Sequence, residues 1–229
     1  MTQVQTPLNR LAVASGETLA WGVRTYVIGI INLTPDSFSG DGLGGDVDAA
    51  VDLALRFQDE GADILDIGAE STRPGHKQIS LNKELARLMP ALEAVAKRVD
   101  LPISVDTYKA AVARRAVDAG AVIINDIWGL KAEPELAEVA AETCAGLVLM
   151  HNQKGTQYRD LVPNLVSSLK DSVRTALEAG VPRDNIIVDP GIGFGKTPDQ
   201  NLAVLARLDE LKELDCLMLV GTSRKSTLG

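Results

Sequence analysis

Seven short runs of β-branched and aliphatic residues recur along the chain, at 26–31, 64–67, 103–105, 122–124, 147–150, 186–188 and 216–220, with almost no alternation of apolar and polar positions. A strand that is apolar on both faces must be covered on both faces. That is the pattern of parallel strands packed between layers, not of an antiparallel sheet with one wet side. The segments between the runs carry helical spacing. In "LARLMPALEAVAKRV", Leu85, Leu88, Met89, Leu92, Val95, Ala96 and Val99 fall on one stripe, and Pro90 inside it predicts a kink or a restart. Thr197, Pro198 and Gln200 read as a capping box with proline at the first helical position. Gly61, Gly120 and Gly180 stand where helices should end in left-handed caps.

Strand and helix units repeated seven times without a change of composition predict an α/β fold of the (β/α)8 TIM-barrel type over residues 26–229. A doubly wound open sheet is the alternative the pattern leaves standing. An eighth unit does not come after the seventh, so the barrel is expected to be truncated there, with two unpaired strand edges. Residues 1–25, which contain "ASGETLAWG", are expected to form a separate N-terminal segment, with a small hairpin at the barrel floor.

The bulk properties narrow the function. A net charge of -8 argues against nucleic acid and against a basic membrane surface as partners, since both need a net attraction to phosphate. No apolar stretch approaches the ~20 residues that span a bilayer, and residues 1–25 are too polar for a signal peptide. A cytoplasmic protein is the expectation. Cys144 and Cys216 form no metal-spaced cluster and are expected to be small buried hydrophobes, while two histidines leave little for a histidine-based metal site.

The polar residues at the strand ends are more specific. Asn32, Thr72, Arg73, Asp106, Asn125, Asp126, His151, Asp189, Ser223, Arg224 and Lys225 all come just after an apolar run, and in a barrel those positions surround one mouth. Asp126 can be read as a local cap, and His151 as a satisfied strand-end histidine rather than a base. The glycines of "GIGFGKT" read as backbone geometry, since the Walker pattern is absent. Asp106, Asn125, Asp189 and Lys225 together offer more acid than base. A ligand with paired N–H donors, such as the amino-pyrimidinone edge of a pterin or guanine, would satisfy them. Asn32 suits a magnesium ion or a phosphate oxygen, and Phe38 and Phe194, aromatic residues in polar loops, suit a flat ligand.

The motifs "GIINLTPDSFSGDG", "DIGAESTRPG", "ISVDTYK", "INDIWG", "VDPGIGFGKT" and "GTSRKS", in this order from Val27 to Gly229, resemble the dihydropteroate synthase family. The resemblance implies a (β/α)8 barrel that joins 6-hydroxymethyl-7,8-dihydropterin diphosphate to para-aminobenzoate with Mg2+, giving 7,8-dihydropteroate and pyrophosphate. It assigns Asn32 to the metal and diphosphate. Thr72, Asp106, Asn125, Asp189 and Lys225 go to the pterin, and Pro35, Phe38, Thr72, Arg73, Pro74, Phe194 and Ser223 to para-aminobenzoate. Lys225, Asp106 and Arg73 stand as its catalytic residues. It further implies sulfonamides as competitors and a homodimer. The eighth strand of the family carries an Arg-x-His pair for the diphosphate pocket, which does not occur here. Two other functions fit a pterin barrel: the pterin-binding domain of methyltetrahydrofolate:corrinoid methyltransferases, which is not expected to carry "NLTPDSF" and "STRPG", and a non-catalytic pterin-binding paralogue, which turnover would exclude.

Overall fold

The computed structural model describes residues 10–12, 18–20, 24–34, 43–71, 78–223 and 225. Two short strands, β1 (Arg10–Ala12) and β2 (Thr18–Ala20), pair antiparallel. Strands and helices then alternate: β3 (Ile28–Asn32), α1 (Val47–Asp59), β4 (Ile64–Gly68), α2 (Leu81–Ala96), β5 (Ile103–Asp106), α3 (Ala110–Asp118) and β6 (Ala121–Asp126). The series continues with α4 (Leu136–Thr143), β7 (Gly146–Met150), α5 (Leu161–Glu178), β8 (Ile186–Asp189), α6 (Pro198–Leu205) and β9 (Leu217–Met218). Strands β3 to β9 form one sheet in chain order, every neighbouring pair parallel. Among the described residues β3 and β9 do not pair with each other.

The sheet has an apolar layer on each face. On the helix side, Ile31, Leu65, Ile67, Val105, Ile124, Leu147, Leu149 and Val188 pack with Leu88, Leu92, Val112, Leu136, Leu165 and Leu169. On the other face a smaller cluster of Ile64, Ile123, Val148 and Ile187 receives Ile28 from the first strand of the sheet and Leu217 from the last. Two outermost strands can reach one small cluster only if the sheet is curled, so this half-barrel belongs to the TIM-barrel class. Leu19 of β2 packs on the same cluster, at the end where strands β3 and β4 begin.

Local chemistry sets the element ends. The first strand of the sheet starts at Ile28 and not at Tyr26, because Val27 is already engaged: its N–H donates to the Asp63 carboxylate at 2.8 Å and its carbonyl accepts from Asp63 N at 2.8 Å. Asp63 also pairs with Arg24. Strand β9 is shorter than the apolar run 216–220, since it has a neighbour on one side only, and after Met218 a single bond from Leu219 N to Val188 O (2.9 Å) continues the ladder. The capping box of α6 is reciprocal, with Gln200 N donating to Thr197 Oγ1 (3.2 Å) and Thr197 N to Gln200 Oε1 (2.9 Å). Gly61, Gly120 and Gly180 hold φ of 91°, 111° and 96° at the helix ends.

Two local expectations fail. Pro90 neither stops nor restarts its helix. It lies on the exposed side of an unbroken α2, whose opposite side, with Leu88, Ala91, Leu92 and Val95, is buried. Cys144 is exposed and Cys216 only half-buried, because each occupies a connection and not the core: Cys144 is the left-handed cap of α4 (φ 56°). Among the described residues no helix is long and apolar enough to cross a membrane.

The Thr197→Ala variant should lose about 1 kcal/mol of stability through the missing cap acceptor. Urea denaturation checks this: the midpoint should fall with the slope unchanged.

Candidate functional site

Because all seven strands of the sheet run the same way, their carboxyl ends open on one rim. The register sets side chains next to one another: Asn32 lies opposite Gly68, Gly68 opposite Asp106, and Asp106 opposite Asn125. Gly68 is small for a reason. A Cβ there would lie 3.3 Å from both Cβ and Oδ2 of Asp106, so the glycine gives that carboxylate its room.

One acid on the sheet was not foreseen. Asp66, two residues before the end of β4, accepts from Asn125 Nδ2 through Oδ2 at 3.1 Å, which orients the amide. The Oδ1 atoms of Asp66 and of Asp106 are both sealed from solvent and have no hydrogen-bond partner among the described residues. Burial raises the Asp66 carboxyl, opposed by hydrogen bonds from Ser104 and Asn125. Burial pushes Asp106 well above the usual carboxylate range. The negative charges of Asp66, Glu84 and Asp126 add to the rise, and Lys225 opposes it. Asp189 accepts from Gly191 N at 2.7 Å, and burial lifts it to about 6 against that bond and the charges of Lys196 and Lys225. The Lys225 ammonium is itself lowered by burial, with Asp189 and Asp106 acting to restore it.

Among the described residues the floor of the rim thus carries Asp66, Asp106 and Asp189, with Lys225 acting on Asp106 and Asp189 and Lys196 on Asp189. Buried acceptors without donors are costly, so this surface favours a ligand that brings N–H groups. Lys225 also reaches sideways, its Nζ 4.2 Å from the centre of the Phe194 ring. An acid floor and an aromatic wall are therefore joined by one side chain. Ser223 is exposed on the same connection after β9.

Two rim residues have structural duties. Asp126 is wholly buried and takes Trp128 N at Oδ1 (2.8 Å) and Leu130 N at Oδ2 (2.6 Å), which holds a turn in which Leu130 has φ 65°. His151 is buried with Nδ1 at 3.2 Å from Lys196 Nζ. Burial first, then the charges of Lys196 and Lys131, hold its pKa down to about 3, so it stays neutral and is unsuited to take a proton at neutral pH.

A second unforeseen cluster flanks the rim. Lys109 pairs with Glu70 and, at 2.5 Å, with Glu84, and donates to Ile79 O at 3.0 Å. Glu70 also accepts from Tyr108 Oη (2.9 Å) and Ile79 N (3.1 Å), and Glu84 from Thr107 Oγ1 (2.7 Å). The turn after Asp106 is thereby bonded to the exit of β4 and the approach to α2. Asp66 had a detectable signal, a lone charge within an apolar run. The ion cluster had none, because its members are distant in sequence.

Asn32 is half-buried at the end of β3, opposite Gly68 in the register. Among the described residues no three His, Cys, Asp or Glu side chains gather to hold a metal. Pro35, Phe38, Thr72, Arg73, Pro74 and Arg224 lie outside the described residues. At the opposite end of the sheet a cleft of about 680 Å³ is lined by Met89, Lys97, Pro102, Arg115 and Val122, away from the acids of the rim.

A family model described as "Pterin binding enzyme" matches residues 28–229. The dihydropteroate synthase of Clostridium beijerinckii is 49% identical over 208 residues, which are 91% of this chain and 77% of that protein. Among solved structures, dihydropteroate synthase from Clostridium difficile, determined in the presence of pteroic acid, superposes with a TM-score of 0.85 at 45% identity, covering 92% of this chain and 81% of the other. The Yersinia pestis dihydropteroate synthase in a sulfonamide drug complex superposes with a TM-score of 0.90 at 41% identity, covering 96% and 82%. By the extent of the family match and the identity to these relatives, the chain belongs to the pterin-binding enzymes and, among them, to the dihydropteroate synthases.

Proposed function

We propose that this chain condenses 6-hydroxymethyl-7,8-dihydropterin diphosphate with para-aminobenzoate, giving 7,8-dihydropteroate and pyrophosphate. The observation that carries the reading is the acid floor, in which Asp66 and Asp106 each have one solvent-sealed oxygen without a partner among the described residues, joined through Lys225 to an aromatic wall. A pterin brings the N–H donors that such a floor lacks, and an aminobenzoate ring fits beside Phe194. The neighbours point the same way, one solved with pteroic acid and one with a sulfonamide.

In this reading Asp106, Asn125 and Asp189 receive the pterin edge, with Asp66 holding the Asn125 amide so that its oxygen faces the ligand. Lys225 donates to the ring. Thr72 touches the pterin and the amine, and Pro35, Phe38, Arg73, Pro74, Phe194 and Ser223 form the amine side. Arg73, Asp106 and Lys225 are assigned the catalytic roles. The bond between the pterin methylene and the diphosphate oxygen breaks, its electron pair leaving with pyrophosphate. The amine nitrogen then forms the new C–N bond and releases a proton. Positioning and charge stabilisation are the protein's contribution, and no protein nucleophile is needed.

Mg2+, when bound, takes charge from the diphosphate, and Asn32 is the residue that would hold it. A single neutral oxygen donor suits an ion that reserves most of its coordination for water and phosphate.

The test is pyrophosphate release that depends on both substrates. Release absent while a pterin still binds would leave a non-catalytic pterin protein. The Asp189→Ala variant should lose roughly 2 to 4 kcal/mol of transition-state stabilisation, measured as kcat/KM, with its fold intact by circular dichroism. Sulfamethoxazole should raise the apparent KM for para-aminobenzoate, and turnover indifferent to it contradicts the amine-side assignment.

A second consequence concerns stability. The Asp189 carboxyl lies at about 6 in the folded chain, above its ordinary value of 3.8. Between those values the folded chain keeps a proton that the unfolded chain has released, so stability from this group is complete below 3.8 and is lost as pH rises through 6. The Asp189→Asn variant without ligand should therefore gain about 1 to 3 kcal/mol at pH 7.5 and almost nothing at pH 4. Urea midpoints at the two pH values check the sign, and a loss at pH 7.5 contradicts it.

A further inference from the structure

The turn 190–195 between β8 and α6 carries Phe194 and has no regular secondary structure; Ile192 is buried in the core, and Phe194 packs partly against it. Gly191, Gly193 and Gly195 adopt φ of 69°, 83° and 57°, a region that side chains disfavour. Each is also crowded. A Cβ would lie 2.0 Å from His151 O at Gly191, 2.9 Å from Lys225 Cδ at Gly193 and 2.7 Å from Gln153 O at Gly195. Glycine lets the chain enter this shape but does nothing to hold it, because it allows many others.

Besides the buried Ile192, what holds the turn is a set of side chains bonded to its backbone. Lys196 is buried, and its Nζ donates to Gly191 O at 2.9 Å and Phe194 O at 3.0 Å and lies 3.2 Å from His151 Nδ1. Burial lowers this amine to about 7, and charged or neutral it keeps protons for the two carbonyls. Phe194 N closes the turn onto the same Gly191 carbonyl at 3.1 Å. Asn201 accepts from Gly193 N at 2.9 Å, and Tyr158 Oη donates to Gly195 O at 2.8 Å. Of the side chains named, Lys196 is the one that bonds Phe194 itself, and Phe194 is the residue whose ring stands over Lys225.

We propose that Lys196 is a positioning residue for the amine substrate: bonded from inside to the Gly191 and Phe194 carbonyls, it fixes the Phe194 ring against the Lys225 ammonium and so shapes the amine side of the site. This rests on the assignment of Phe194 to that side. The pterin floor is held mainly by the strands, with Asp189 alone also touching this turn through Gly191 N at 2.7 Å. Asp66, Asp106 and Asn125 belong to β4, β5 and β6, and Asp189 is fixed by the pairing of β8 with β7, in which it lies opposite Met150.

The Lys196→Met variant keeps the length and apolar stem of the side chain and removes its donors. Relaxation of the turn by about 1 Å should raise the KM for para-aminobenzoate about tenfold or more and the KM for the pterin diphosphate by clearly less. A merely structural role would instead lower the active fraction and leave both KM values alone, and that result overturns the proposal. Calorimetric titration with sulfamethoxazole, in the presence of pterin and pyrophosphate, gives a readout that needs no turnover: equal Kd in wild type and variant also overturns it. If the wild-type chain releases no pyrophosphate, the reading of the reaction fails, and this titration still decides the role of Lys196. Should Lys196→Met not fold, Lys196→Gln, which shortens the side chain and leaves it fewer donors, decides. The amine KM is expected to rise about threefold and the pterin KM by less, and no change in either overturns the proposal.

Discussion

The parallel register of seven strands is the constraint on which everything else hangs. Once β3 to β9 pair in chain order and in one direction, every connection after a strand opens on the same rim, and residues distant in sequence become neighbours through the ladder. Asp106 lies opposite both Gly68 and Asn125 for no other reason. The curl of the sheet, recorded in the cluster shared by Ile28 and Leu217, turns a row of strand ends into a cradle.

On that rim the electrostatics are dominated by burial. Three carboxylates, Asp66, Asp106 and Asp189, are all raised, and desolvation is the first cause in each case. A protein built only for stability would place apolar or paired groups there. Keeping unpaired acceptors on that floor costs folding free energy and stores recognition for a donor-rich ring. Lys225 then acts in two directions, toward the acids by charge and toward Phe194 by its place over the ring. The polar cluster of Glu70, Lys109 and Glu84 supports the same region from outside, through the turn that comes after Asp106.

Much of this was legible in the chain, and the failures are instructive. Continuous β-branched runs announced the strands because parallel strands are buried on both faces, and the capping box and terminal glycines announced the helix ends because those depend on neighbours three or four residues away. Pro90 misled because its effect depends on which side of α2 faces solvent, and Cys144 because a helix cap, not hydrophobicity, sets its place. Asp126 and His151 share the polar pattern of their neighbours. Only the bonds they make, to the Trp128 and Leu130 amides and beside Lys196, separate support from site.

The amino-acid sequence by itself determined the number and order of the strands, the helices between them and the polar residues at each strand end, since these rest on local periodicity and on contacts within a few residues. Tertiary structure alone decided that Asp66 joins Asp106, that Asn125 turns its amide toward Asp66, and that Lys196 reaches Gly191, Phe194 and His151 together. The reason is physical: burial, hydrogen-bond partnership and the resulting shifts in charge belong to groups brought together by strand register and sheet curvature, and neither is written in any single stretch of the chain.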